Sequence, residues 1–427
     1  MKRYGTKTEF TLNLNKYKSM NKKTIVIGGG AAGCFAAIFA AESGSETVII
    51  EPNGRLGKKL SITGKGRCNI TNDCDRDTFL KNISRNSSFL YGAISRFDTK
   101  DCMDFIESLG VPLKTERGNR VFPVSDKASD IVNAIGKRAE RLGVKIIRDR
   151  AVKIDCSQEE RRVIGVKTQK GFIPGDKVIL ATGGLSYPAT GSTGDGYKMA
   201  RALGHTVTPL SPSLVPLETV TDCLPMAGLN IKNALFTLLD NEKKKKLFSE
   251  QGEFTFESYG IGGPLTLSAS SRMDNITEGR YTVSIDFKPA LDEKKLDLRL
   301  LREISFAPSK TAFDIMRTLL PEKLASAIIH EAGVPNCRKA GEITSNERKA
   351  LISALKGFKL DIKAFRPIKE AIITDGGICV KEINPTDMQS KLIRGLHFAG
   401  EIIDVSGYTG GFNLQIAYST AKAAAVL

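Results

Sequence analysis

The sequence predicts an α/β chain whose two ends build one parallel-sheet domain, with a β unit and a helical unit inserted between them. Three observations predict it. Thr24 to Ala41, TIVIGGGAAGCFAAIFAA, joins a short apolar strand to a glycine-rich turn and a helix of small residues. Near the other end, a strand, acids and a glycine-rich helix start recur, in Leu396-His397-Phe398 through Gly411-Phe412-Asn413-Leu414. Between them, residues 211–288 alternate apolar and polar positions with turn signals, as antiparallel strands do. Residues 292–356 carry helical periodicity.

The first stretch fits a dinucleotide-binding corner. Thr24-Ile25-Val26-Ile27 reads as a buried parallel strand, and Gly28-Gly29-Gly30-Ala31-Ala32-Gly33 is a full G-x-G-x-x-G in the strand–turn–helix context that the fingerprint requires. Gly28 allows the tight turn, Gly30 lets backbone approach a pyrophosphate, and Gly33 lets helix and strand pack closely. A second strand, Thr47 to Ile50, ends in Glu51, 23 residues after Gly28 and where a ribose-binding acid is expected.

The connection from Pro52 to Asn72 carries several glycines with Lys58, Lys59 and Arg67. Such a long structured connection points to ligand contact. Residues 78–145 read as mainly helical, with helices over Asp101–Leu109 and Ala128–Leu142. Strands follow at 145–147, 152–154, 163–166 and 177–181. The last runs into Thr182-Gly183-Gly184, a second strand-to-glycine-loop transition, and a helix over 196–203. Helices are expected at 294–304, 312–319, 322–332 and 346–355, with Thr344 to Glu347 supplying a cap. Strands return at 359–362 and 370–374. The Lys243–Lys246 run reads as a charged hairpin tip.

Composition bounds the rest. The 427 residues are 41% hydrophobic, ample for two or three domains. No run of about 18 apolar residues exists, so no transmembrane helix is expected. The N-terminus lacks the apolar core of a signal peptide. Met20, just before the first strand, is a candidate start, which would leave residues 1–19 as a disordered or misannotated extension. The eight cysteines are scattered without C-x-x-C, and they and the three histidines show no metal-ligand spacing. Free thiols and a cytoplasmic location are the expectation. The net charge of +16 reads first as a solubilising lysine-rich surface, and second as attraction to anionic partners.

At the C-terminal end, Asp404 and the helix opened by Gly411 suit a flavin, with the acid on the ribityl chain and the helix pole near the ring. An extended cofactor gripped from both ends fits FAD better than NAD.

These motifs resemble the two-dinucleotide-binding-domain flavoproteins, and more closely the bile-acid-reductase and aminoacetone-oxidase-like group of NAD(P)/FAD-dependent oxidoreductases. The marks are IVIGGGAAG, KLSITGKGRCNITN at 60–72, ILATGGLSYPATGSTGDGY at 179–197 and AGEIIDVSGYTGGFNLQIA at 399–417. The resemblance covers about residues 22–427. It implies a Rossmann-like FAD domain in two segments, 22–208 and 366–427. Within it sit a β-barrel-like unit, 209–291 and 357–365, and a helical unit, 292–356, with 1–21 as an N-terminal extension. It implies that Gly28, Gly30, Ala32, Gly33 and Glu51 hold the ADP half. Lys59, Arg67, Cys68 and Asn69 would lie near the cofactor, with Ala181, Thr182 and Gly183 touching it from the second loop. Asp404, Gly411, Phe412, Asn413 and Leu414 would hold the flavin end. One departure is visible. The family often has a Thr-His pair before a Tyr/Phe-Gly-x-Ser-Gly-Pro motif, where this chain reads Phe256-Glu257-Ser258-Tyr259-Gly260-Ile261-Gly262-Gly263-Pro264. Roles of the missing histidine and serine do not transfer.

The leading expectation is an FAD-dependent oxidoreductase that takes a hydride from NAD(P)H and reduces a small organic acceptor such as an enone. No second G-x-G-x-x-G exists, so either the nicotinamide docks transiently or another donor serves. The alternatives are an oxygen-using flavin oxidase of the aminoacetone-oxidase kind and a nucleic-acid-associated flavoprotein, though the basic residues are dispersed without an aromatic–basic RNA motif and no stable nucleic-acid partner is expected. The catalytic residues are not identifiable. Tyr187, Tyr259 and Tyr408 flank glycine-rich loops as possible proton donors, though packing roles suit them better. Cys68 is a possible redox thiol.

Overall fold

Residues 22–426 are described by a computed structural model. Five parallel strands build the sheet at the chain's two ends: β1 (Lys23–Ile27), β2 (Glu46–Ile50), β3 (Lys145–Ile147), β4 (Lys177–Leu180) and β5 (Leu396–Phe398). Their order is β5-β4-β1-β2-β3. β1 pairs with β2 and β4, Ile25 facing Val48 and Val178. Apolar residues on both faces of β1 and β4 match a sheet covered on both sides.

Helix α1 (Ala31–Glu42) buries its run from Ala32 to Ala40. α2 (Ala128–Arg141) is amphipathic, burying Ile131, Ile135 and Ala139. α3 is Asp195–Ala202, and α4 (Phe412–Ala425) returns to pack on α1. The stack of Phe35 on Tyr418, ring centroids 4.1 Å apart, fixes that contact. Small side chains on both helices permit the close approach that the sequence pattern implies.

The chain divides into two compact units, one running to Ser211 and resuming at Thr374, the other Pro212–Ile373. The second holds a closed six-stranded barrel that includes the long hairpin Asn230–Asp240/Lys245–Glu257, with lysines at its turn. Helices Glu293–Phe306, Ala312–Arg317, Glu322–Glu331 and Ser345–Lys356 share one apolar core with that barrel. Thr344 and Glu347 form a reciprocal capping box at the last of them.

One expectation is completed and one corrected. The stretch 78–145 is mainly helical, as expected, but not wholly so. It contains the hairpin Leu113–Glu116/Arg120–Pro123 and the strand Ile83–Arg85, which pairs with Ser406–Gly407. The hairpin turns through Gly118 and Asn119 at φ +77° and +57°, a turn signal inside a charged segment whose strands are too short for a clear alternation. The strand expected over 370–374 begins only at Ile373. Arg366 folds back onto the carboxylate of Glu370 and holds that segment as a turn. The extension before Lys22 lies outside the described residues.

Candidate functional site

The corner where β1 meets α1 is built by glycines that the chain cannot replace. Gly28 takes φ +103°, and its N–H donates to Ile50 O at 2.9 Å. A Cβ on Gly33 would lie 1.8 Å from the Gly28 carbonyl oxygen. One on Gly28 would lie 2.6 Å from Ala181 O. Gly30 is different. It is the N-cap of α1, no side chain caps it, and a Cβ there would meet nothing within 4 Å. The first amides of α1 thus face open ground, where the helix dipole favours an anion. This donor set fits the pyrophosphate of a dinucleotide. Ala32 is buried where Gly400 passes, since a Cβ on Gly400 would stand 2.7 Å from the Ala32 methyl.

Glu51 is buried beside this turn. Its Oε2 accepts from Gly29 N at 2.7 Å, and its Oε1 accepts from Asn53 N and Nδ2 at 2.8 and 2.7 Å. Oε2 keeps accepting capacity for a sugar hydroxyl.

The 52–72 connection divides its basic residues. Lys59 Nζ donates to Ser186 Oγ and to Glu401 Oε2, both at 2.6 Å. Ser186 Oγ donates to Glu401 Oε1 at 2.7 Å, and Thr374 N donates to the same oxygen at 2.8 Å. Burial pushes Glu401 up, but the Lys59 ammonium and these donors outweigh it and hold the carboxyl below its usual value. Glu401 was missed in the sequence. Its signal was an acid just beyond the C-terminal end of a parallel strand, the same signal that marked Glu51. Arg67 is spent on Glu116 and Asp126, and its guanidinium lies 4.1 Å over the Phe122 ring. Cys68 is fully buried at φ +63°, and burial pushes its thiol up to about 12. A thiol so buried and so raised fits a packing role better than a redox one. With its amide O and N exchanged, which satisfies both, Asn69 donates to Thr71 O and Val121 O and accepts from Gly411 N at 3.0 Å.

At the end of β4, Ala181 N donates to Ile27 O at 2.9 Å. Gly183 turns at φ +70°. Thr182 Oγ1 is buried without a hydrogen-bond partner, and a Cβ on Gly196 of α3 would lie 2.0 Å from it.

The terminal corner is more self-contained. Asp404 is paired with Arg85, through Oδ1 and, at 3.2 Å, through Oδ2, and Arg85 reaches Asp375 at 3.5 Å. Asn413 closes onto its own loop, accepting from Gly407 N at 2.9 Å and donating to Gly407 O at 2.7 Å. Gly411, at φ +100°, allows the loop to lie against Thr71, whose carbonyl carbon and oxygen would be 2.4 Å from any Cβ. Phe412 packs on Phe79, and Leu414 is half-buried. No side chain caps α4, so its first amides remain available to a ligand.

Of the three tyrosines, Tyr259 lies under the Arg366 guanidinium at 4.3 Å, and burial raises its phenol. Tyr187 takes φ +51° at the start of a short turn. No cluster of three or more metal-ligating side chains occurs among the described residues.

The HI0933-like protein Rossmann domain family matches residues 22–427. The chain belongs to that family. It is 30% identical over 401 residues to the 3-dehydro-bile acid delta(4,6)-reductase of Clostridium scindens, covering 92% of this chain and 96% of that one. It is 28% identical to the ribosomal RNA dihydrouridine synthase of Escherichia coli, covering 94% and 96%. Among solved structures, a 3-ketosteroid-delta4-(5alpha)-dehydrogenase from Rhodococcus jostii RHA1 superposes with a TM-score of 0.51 at 15% identity, covering 95% and 96%, a likeness of fold. As a member of the HI0933-like family the chain is an FAD-dependent oxidoreductase of Rossmann type. No helix among the described residues is long and apolar enough to cross a membrane.

Proposed function

We propose that the chain reduces a carbon–carbon double bond conjugated to a carbonyl, using FAD and a transiently docked NAD(P)H. The observation that carries the cofactor reading is the open ground at Gly30 in front of the uncapped N-terminus of α1. When bound there, FAD supplies the hydride that a conjugated bond accepts at its β-carbon, with a proton completing the α-carbon. The chain's own residues bind and orient. Gly28, Gly30 and Gly33 let backbone amides meet the pyrophosphate, and Glu51 takes the ribose. Lys59 and Glu401 present an ammonium and a carboxylate in one hydrogen-bonded set, suited to a phosphate and a polyol hydroxyl. The amides opening α4 stabilise negative charge at the flavin end. Arg85 fixes Asp404, and Asn413 fixes its loop, so these residues shape the pocket wall. The acceptor we favour is a small enone, in line with the bile-acid reductase relative.

A second reading takes the uracil ring of RNA as the acceptor. The net charge of +16 and the dihydrouridine synthase relatives favour it. The chemistry is the same, since the uracil C5=C6 bond is conjugated to a carbonyl.

The test is anaerobic absorption spectroscopy of the flavin-loaded protein. NADH or NADPH should bleach the flavin bands, and an enone should restore them with formation of the saturated product. Restoration by uridine-containing ribosomal RNA alone would establish the second reading. Bands that persist under both nicotinamides would overturn the donor and favour an oxidase with its own organic substrate.

A further inference from the structure

A cleft of about 820 Å³ lies between the 54–66 connection, α2 and β3. It shares no lining residue with the glycine corners or with the Lys59–Glu401 set. Its chemistry is unusual for this molecule. Arg55, Lys127, Lys137 and Arg148 line it, all exposed, and none makes an ion pair among the described residues. Glu140 is the one acid on its wall. Arg148 spends one N–H on the Asn53 carbonyl, at 2.7 Å, and keeps the rest of its fork. Beneath these cations the surface is aliphatic: Ile62, Val132 and Ile146, with Ile62 45% and Ile146 39% exposed. No aromatic ring lines it.

A neighbouring cleft of about 490 Å³ shares Lys137 with it and differs in its acids. It also borders α2 and also carries basic residues. There Arg138 is paired with Glu42 at 2.7 Å, and Asp101 and Asp104 add acid. The larger cleft gathers four cations with Glu140 as its one acid and no ion pair to any of them among the described residues, around exposed aliphatic carbon. Like charges that outnumber their counter-charge repel one another, and exposed aliphatic side chains remain in water. An anion with an apolar body relieves both costs.

We propose that this cleft binds an amphipathic anion, an aliphatic or alicyclic body bearing a carboxylate, sulfate or phosphate head. The head meets the cations, and the body lies on Ile62, Val132 and Ile146. The absence of aromatic rings disfavours stacked bases, so a polynucleotide is the alternative that the test must separate. This site is independent of the cofactor corner and of the reaction proposed above.

The experiment is calorimetric titration of the flavin-loaded protein with octanoate, dodecanoate, dodecyl maltoside and a uridine dodecanucleotide. Dodecanoate should bind at least about tenfold more tightly than octanoate, because four methylenes leave water. Dodecyl maltoside, with the same tail and no charge, should bind at least about tenfold more weakly than dodecanoate. The double variant Arg55→Gln/Lys137→Gln, at exposed positions, should weaken dodecanoate by about tenfold with an unchanged melting temperature. Ile62→Ser with Ile146→Ser should abolish the dependence on tail length. Equal affinity for octanoate and dodecanoate, equal affinity for the neutral amphiphile, or an unaffected double variant would overturn the proposal. So would tight, steeply salt-dependent binding of the oligonucleotide without binding of dodecanoate, which would make the cleft a polyanion surface.

Discussion

The two ends of the chain build corners from the same vocabulary and use it differently. At the first corner, strand, glycines, helix and acid leave open ground before the helix, because Gly30 faces no protein atom. At the last, the polar side chains turn inward. Asp404 is held by Arg85, Asn413 by the backbone of Gly407, and the Gly411 amide by Asn69. A glycine-rich helix start can therefore be a cradle or a brace, and the difference lies in which donors and acceptors the chain satisfies itself. The acid at the last corner shows this best. Asp404 is 4% exposed and paired, whereas Glu401, three residues earlier, shares a hydrogen-bonded set with Lys59 and Ser186.

The largest effect expected from breaking the first corner is at Gly33. Gly33→Ala forces a methyl into the Gly28 carbonyl, which is backbone and cannot swing away. A loss of at least about 3 kcal/mol is expected, read by thermal melting together with flavin content. A variant that melts like the parent would show that α1 can slide.

The next effect is in acid and concerns the sheet that carries both corners. His397 in β5 is buried, and its Nδ1 lies 2.9 Å from Asp387 O. Burial first, then the Lys177 ammonium, push the imidazole down to about 4. The unfolded chain binds this proton near pH 6.5 and the folded chain only near pH 4. Stability is therefore fully present above about pH 6.5 and falls as pH drops toward 4, by up to roughly 3 kcal/mol. His397→Gln should flatten the profile of melting temperature against pH across that window, and an unchanged slope would contradict it.

A smaller effect sharpens the contrast between the acids. Glu401→Gln leaves the Lys59 ammonium without its charge partner at a site one-fifth exposed. Flavin affinity is expected to fall about tenfold, with stability reduced by about 1–2 kcal/mol. Asp404→Asn should weaken flavin less than Glu401→Gln does, measured in the same equilibrium titration. The reverse order would favour Asp404 for the ribityl chain. The smallest effect is expected at Arg67, already engaged with Glu116, Asp126 and Phe122. Arg67→Gln should leave flavin affinity within about twofold.

Much of this architecture was legible in the sequence because it follows from local rules. β1, the G-x-G-x-x-G turn and α1 are contiguous, and each glycine has a single geometric reason. The helices at 293–331 and 345–356 announce themselves by period and caps. What was not legible depends on partners far apart in the chain. Nothing in KGRCNITN says that Arg67 will meet residues 116 and 126, or that Asn69 will take the amide of Gly411. The Lys59–Glu401 pair spans 342 positions. Cys68 follows an exposed glycine-rich loop and is itself fully buried, the chain turning through left-handed conformations at Lys65 and Cys68.

The most direct test of the central claim is equilibrium flavin binding to the parent and to Gly30→Ala, each checked first for its melting temperature without flavin. A methyl at Gly30 meets no protein atom, so the flavin-free proteins should melt alike. The same methyl occupies the ground in front of the α1 amides, so flavin affinity should fall at least about tenfold. Equal affinity, with equal melting, would contradict the assignment of this corner to the cofactor's phosphates.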